Sequence, residues 1–122
     1  MPRRSDARKC ALQMLYLLDQ NSDADLQTVR ATVELDLGNE ELIEFAWRLI
    51  TGVRESQDEL DRQITNVAQN WRIDRMAPTD RNTIRAGLFE MQQLGTPAAV
   101  ALNEAIELAR AFGTENSAAF VN

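Results

Sequence analysis

The side chains best equipped for chemistry in this chain are carboxylates, and they come in groups: Glu40/Glu41, Asp58/Glu59/Asp61 and Glu104/Glu107. A hydrolase would need two of them converging across a cleft. Helical surfaces produce such spacings routinely, so they are read as solvated faces. Ser5, Ser22, Ser56 and Ser117 have no histidine to activate them, because the chain contains none. With no histidine and the single cysteine Cys10, a Cys/His zinc site and a disulfide framework are both excluded. Cys10 lies beside Arg8 and Lys9, cations that can lower a thiol pKa, but also beside Ala11. It is read as a small packing residue. There is no glycine-rich phosphate loop and no acidic spacing of the calcium-binding kind. The sequence is therefore read as that of a non-enzyme, with no cofactor.

The N-terminal cluster carries a different chemistry. Residues 1–9 hold Arg3, Arg4, Arg8 and Lys9 against Asp6, a net +3, while the remainder holds nine basic and eighteen acidic residues, a net −9. This asymmetry suggests a basic arm of residues 1–9 meeting a polyanion and an acidic body facing elsewhere; the competing reading is a solvated N-terminus. Gln13 and Tyr16 follow at helical spacing. Arginine makes bidentate phosphate contacts, glutamine reads base edges and tyrosine stacks on bases. Tyr16 can equally be a half-buried core aromatic, and Trp47 and Trp71 are read as core or interface residues.

The elements that must hold these groups are helical. The chain has 122 residues, 44% of them apolar, with only five glycines and three prolines, which fits one helical domain with a real core. No apolar run approaches the ~20 residues of a membrane span, and no secretory signal pattern is present, so a cytoplasmic location is expected.

A first helix is predicted over Asp6 to Gln20, capped by Ser5 or Asp6, with Ala7, Ala11, Met14, Leu15 and Leu18 on one stripe and Arg8, Lys9 and Gln13 off it. A second, about Ala24 to Leu37, turns Leu26, Val29, Val33 and Leu37 inward and stops at Gly38. Asn39 caps a third, lined by Leu42, Phe45, Ala46, Leu49 and Val53. Its interior Gly52 costs about 1 kcal/mol relative to Ala, which predicts close helix packing or a break near Arg54 to Gln57. Leu60, Ile64 and Val67 continue the periodicity. Pro78 opens a helix over Thr79 to Leu94 with Ile84, Leu88 and Met91 inward. Another runs over Ala98 to Phe112 with Leu102, Ala105, Ile106 and Ala109 inward. Thr114 caps a last helix of eight residues.

Three stretches resemble the NusB family of transcription antitermination factors, in family order and over nearly the whole chain. They are Arg3-Arg4-Ser5-Asp6-Ala7-Arg8-Lys9-Cys10-Ala11-Leu12-Gln13-Met14-Leu15-Tyr16; Asn70-Trp71 through Ile73-Asp74-Arg75-Met76-Ala77-Pro78 to Ile84-Arg85-Ala86-Gly87-Leu88-Phe89-Glu90; and Asn103-Glu104-Ala105-Ile106-Glu107-Leu108-Ala109-Arg110 with Phe112-Gly113-Thr114-Glu115-Asn116-Ser117 and Phe120-Val121-Asn122.

The resemblance implies an all-α, single-domain bundle of two packed helical subdomains spanning residues 1–122. It implies binding of the single-stranded boxA element of nascent ribosomal RNA transcripts. The implied partners are NusE, a small-subunit ribosomal protein, and RNA polymerase with other Nus factors. Position by position, it implies RNA contacts at Arg3, Arg4, Arg8, Lys9 and Gln13, with Asn116 and Phe120 as a second part of the surface. Arg85 is added, against the alternative of an ion pair with an acid such as Glu104. It implies NusE contacts at Tyr16 and Asp80.

Departures from the family pattern carry expectations too. Asp6 within the basic arm should weaken phosphate contacts, and Asn116, where an acid is usual, should partly offset it. Ala77 replaces a common acidic cap, which predicts a cap weaker by about 1 kcal/mol. The family's final Gly-Val-Leu-Asp stretch is not reached, so a truncated or short last helix is expected. Two other readings compete: an RNA-binding appendage of a ribosomal RNA cytosine methyltransferase, and a protein–protein adaptor that has lost RNA binding. Self-association as a homodimer through the partner-binding face stays open.

Overall fold

The computed structural model describes residues 3–67, 72–112 and 121. Its described elements are helical: α1 (Arg4–Gln20), α2 (Leu26–Leu37), α3 (Glu40–Glu55), α4 (Gln57–Val67), α5 (Pro78–Gln93) and α6 (Ala98–Phe112), with a 3₁₀ turn at Ile73–Arg75. Among the described residues, no helix is long and apolar enough to cross a membrane. The fold is an all-α bundle in which α1–α3 and α4–α6 form two packed subdomains, joined where α1 and α3 meet α5.

Local chemistry sets most boundaries. The Asp25 carboxylate accepts a hydrogen bond from the Gln27 N–H at 3.0 Å and starts α2. Gly38 ends it at φ 66, a left-handed conformation that costs glycine little. Asn39 Oδ1 accepts from the Leu42 N–H at 3.1 Å and starts α3. Pro78 occupies the first turn of α5, and Ala77 before it makes no side-chain cap hydrogen bond.

The core joins Ala7, Ala11, Leu15 and Leu18 of α1 to Val29, Val33 and Leu37 of α2 and to Ala46, Leu49, Ile50 and Val53 of α3. Phe89 of α5 reaches into it, and its ring fills the space a Cβ at Gly52 would occupy. Both consequences expected of Gly52 occur: a close helix contact, and a break at Ser56 between α3 and α4. Leu26 and Val67, expected inside, are exposed.

The inward face of α5 departs most from expectation. Ile84 and Leu88 are half-buried and Met91 is exposed; all three line an apolar groove of about 620 Å³ between α4, α5 and α6. Facing the interior instead are Asp80, Asn82, Thr83, Arg85, Ala86, Phe89 and Glu90. Asn82, Arg85 and Glu90 can lie there because other helices supply them with partners. Arg81 donates to both oxygens of Asp19, at the end of α1, at 2.8 Å each, and Asn82 Nδ2 donates to Asp19 Oδ2 at 3.0 Å. The hydrogen bond from Arg81 holds the Asp19 carboxyl below its ordinary range, against the opposing effect of burial. On α6, Ala101, Ala105, Leu108 and Ala109 are buried, while Leu102 is exposed.

Candidate nucleic-acid interface

The basic cluster is built on a helix from Arg4 onward. Arg3, in extended conformation, is the residue before the first turn, and its N–H donates to Asp6 Oδ2 at 2.7 Å. Asp6 is thus half of a capping box rather than a stray acid in a flexible arm, and the positive end of the helix stabilises its charge. The cations at positions 4, 8 and 9 are consequently carried on helical backbone, which fixes the direction of each.

Those directions separate them. Arg3, Arg4 and Lys9 are exposed and form no salt bridge with a described residue. Arg8 is only 6% exposed. Its Nε donates to both Glu90 oxygens, at 3.1 and 3.0 Å, and its Nη2 also donates to Glu90 Oε1. Its Nη1 lies 3.6 Å from Glu104 Oε2. The Thr96 hydroxyl completes the group, donating to Glu90 Oε1 at 2.9 Å.

The implied phosphate contact at Arg8 therefore needs correction: its donors face acids of α5 and α6 inside the protein. Arg8 lies off the stripe chosen from the sequence, but α1 packs on α2, α3 and α5 and buries a wider arc than one stripe. Arg85 is buried as well. It donates to Asp61 of α4 at 2.7 and 2.8 Å and to Asn82 Oδ1 at 3.1 Å. The ion-pair alternative for Arg85 describes it, with Asp61 as the acid in place of Glu104. Glu104 instead faces Arg8 and accepts from the Ser5 hydroxyl at 3.4 Å.

Lys9, Gln13, Tyr16 and Gln20, spaced by four, three and four residues, form one exposed stripe along α1. Tyr16 is 46% exposed, so it is a surface aromatic. A hollow of about 370 Å³ at the start of this stripe is lined by Arg3, Ser5, Lys9, Glu104, Glu107 and Arg110, among others. Arg110, which lines this hollow, was not singled out from the sequence. Its position at the basic end of α6 was visible, but its proximity to Arg3 and Lys9 is a tertiary fact. It pairs with Glu107 at 2.7 Å on the surface.

Asp80 sits in the first turn of α5, 9% exposed, and its Oδ1 is buried with no hydrogen-bond partner among the described residues. Asn116, Phe120 and Trp71 lie outside the described residues. Burial pushes the Cys10 thiol up to about 12, with a hydrogen bond to Asp36 adding to the shift, so its neighbouring cations do not activate it. Among the described residues, no group of three or more His, Cys, Asp or Glu could hold a metal ion.

Comparison with known proteins agrees with this architecture. The sequence model of the NusB family matches residues 5–122. The transcription antitermination protein NusB of Myxococcus xanthus is 38% identical over 127 residues, covering 100% of this chain and 91% of the relative. That of Desulforudis audaxviator is 42% identical, covering 98% and 88%. Among solved structures, T. maritima NusB superposes with a TM-score of 0.87 at 29% identity, covering 98% of this chain and 85% of that one. A structure of the antitermination factors NusB and NusE in complex with dsRNA shares the fold at a TM-score of 0.84 and 24% identity, covering 97% and 89%.

Proposed function

The chain belongs to the NusB family, and we propose that it binds boxA-type single-stranded RNA of nascent ribosomal transcripts together with NusE, as a transcription antitermination factor. One observation carries the site assignment: Arg3, Arg4 and Lys9 stand exposed at the start of α1, without salt-bridge partners among the described residues, beside the polar stripe of Gln13 and Tyr16. The three cations neutralise phosphates and supply salt-dependent affinity. Gln13 reads a splayed base, and Asn116 and Phe120 extend the surface. Arg8 and Arg85 serve by holding the helices together.

NusE docks on the exposed face of α1 that carries Tyr16, whereas Asp80, the other implied contact, is buried in the first turn of α5. The RNA contacts of NusE raise the affinity of the pair through effective concentration. RNA polymerase and other Nus factors are the further partners, and self-association would compete for the NusE face. The work is done in the cytoplasm and requires no chemistry on the RNA.

The test is binding of a labelled boxA-type RNA and of a scrambled one, with and without NusE, across a salt series. The expected result is preference for the boxA sequence, tighter binding with NusE, and looser binding with a shallower salt slope for Arg4→Ala/Lys9→Ala. Equal binding of both RNAs by the protein and by the pair overturns the reading in favour of a protein–protein adaptor.

A further inference from the structure

Phe45 of α3 is half-buried against the core, and two guanidinium groups converge on its ring. The Arg4 Cζ lies 4.7 Å from the ring centroid and the Arg8 Cζ 5.3 Å. The two arginines are four residues apart on α1 and so share a face of the helix. They differ in every other respect. Arg8 is buried and fixed by Glu90. Arg4 is exposed and forms no salt bridge with a described residue.

We propose that Phe45 is a positioning residue for RNA binding, holding the Arg4 guanidinium in place over its ring for a phosphate of the single-stranded RNA. The inference rests on the functional reading above. An arginine at the exposed start of a helix samples many rotamers and loses them when it grips a phosphate. A ring beneath the guanidinium removes part of that loss before binding. The cation–π contact acts through the ring face and uses no N–H donor, so the donors stay available to the ligand. Glu90 contributes indirectly, because its grip on Arg8 fixes the turn of α1 next to Arg4. Asp6 caps the helix, so the display does not rely on a bare helix N-terminus.

The two roles are separable by salt. Removing the Arg4 charge lowers the slope of log affinity against log salt by about 0.7, the value for one phosphate contact on a single strand. Removing the ring leaves the charge and hence the slope, and lowers affinity about five-fold, the scale of ordering one long side chain.

The experiment measures binding of a labelled single-stranded boxA-type RNA by the full chain with saturating NusE, across a salt series. The expected results are a five-fold loss with unchanged slope for Phe45→Leu, retention for Phe45→Tyr, and a loss with a shallower slope for Arg4→Ala. Arg4→Ala/Phe45→Leu should bind no more weakly than Arg4→Ala alone. Wild-type binding that Phe45→Leu leaves unchanged overturns the inference, as does an equal Phe45→Leu loss in the Arg4→Ala background. Should Phe45→Leu fail to fold, Arg4→Lys carries the test: it keeps the charge and loses the planar group, and a loss of less than two-fold overturns the inference. If the wild-type chain does not bind the RNA, the functional reading falls and takes this inference with it.

Discussion

Arg8→Ala distinguishes an internal staple from an RNA contact. In the structure, the Arg8 guanidinium meets the Glu90 carboxylate through three donor contacts, with both side chains nearly excluded from solvent. Truncating Arg8 leaves Glu90 buried with the Thr96 hydroxyl as its remaining side-chain donor among the described residues. Breaking a buried pair from one side costs about 3–5 kcal/mol, because an uncompensated charge stays behind. For a chain of this length, 1 kcal/mol corresponds to about 3–5 °C in Tm, so a loss of roughly 10–20 °C is expected. Urea denaturation with far-UV circular dichroism measures the free energy, and a melt gives the Tm.

Replacing both partners by apolar residues, Arg8→Met with Glu90→Leu, should recover much of the loss, since neither charge then needs a partner. The same variants report on RNA. A variant that is folded at the assay temperature should keep the wild-type salt slope at position 8, whereas Arg4→Ala should lower it by about 0.7. Two outcomes refute the reasoning: a cost for Arg8→Ala below about 1 kcal/mol, the range of exposed pairs, or a drop in its salt slope equal to that of Arg4→Ala.

Three further outcomes are expected. The Asp19 carboxyl is held below its unfolded value near 3.8 by Arg81, so its stabilising contribution is complete above that value and is lost as pH falls through the lower folded one. Urea midpoints between pH 6 and about 3 should therefore fall less steeply in Asp19→Asn than in the wild type, from a lower starting stability. Gly52→Ala gains helix propensity of about 1 kcal/mol but displaces the Phe89 ring. A net loss of roughly 1–2 kcal/mol is expected by denaturation, with relief in a Phe89→Leu background. Cys10 should resist iodoacetamide at pH 8 in the native protein and react once unfolded, because its thiol is buried and pushed up to about 12.

Most of the fold was legible because its signals are local. Asn39, Gly38 and Pro78 act within one turn of where they sit, and Gly52 announced both a close approach and a break. The inward face of α5 was not legible. Asn82, Arg85 and Glu90 look like surface residues until Asp19, Asp61 and Arg8 are brought to them, and Arg8 and Glu90 are 82 residues apart in the chain. Periodicity selects apolar residues as core, so it pointed to Ile84, Leu88 and Met91, which line a groove. The candidate site was half legible. Charge density located the start of α1, but which of its cations faces outward depends on acids contributed by α5 and α6. Asp6, read with Ser5 as a candidate N-cap, caps from the third helical position instead: Arg3 is the N-cap, and Asp6 accepts from its N–H.

These buried pairs bear on how a chain with a net charge of −6 would hold the RNA proposed for it. Arg8, Arg81 and Arg85 are matched inside to Glu90, Asp19 and Asp61 and add little to the outer field. Pairs such as Arg30 with Glu44 and Arg110 with Glu107 cancel locally on the surface. Arg3, Arg4 and Lys9, which like Arg48, Arg54 and Arg75 form no salt bridge with a described residue, leave an exposed basic patch at the start of α1. Salt screens charges over about 8 Å at physiological ionic strength, so the acidic body acts weakly on a strand held at that patch. Discrimination must then come from short-range geometry: a capped helix start, a guanidinium over the Phe45 ring, and the polar stripe that leads to Tyr16. Folding energy and binding geometry meet at Arg8, whose staple to Glu90 sets the turn on which the exposed cations stand.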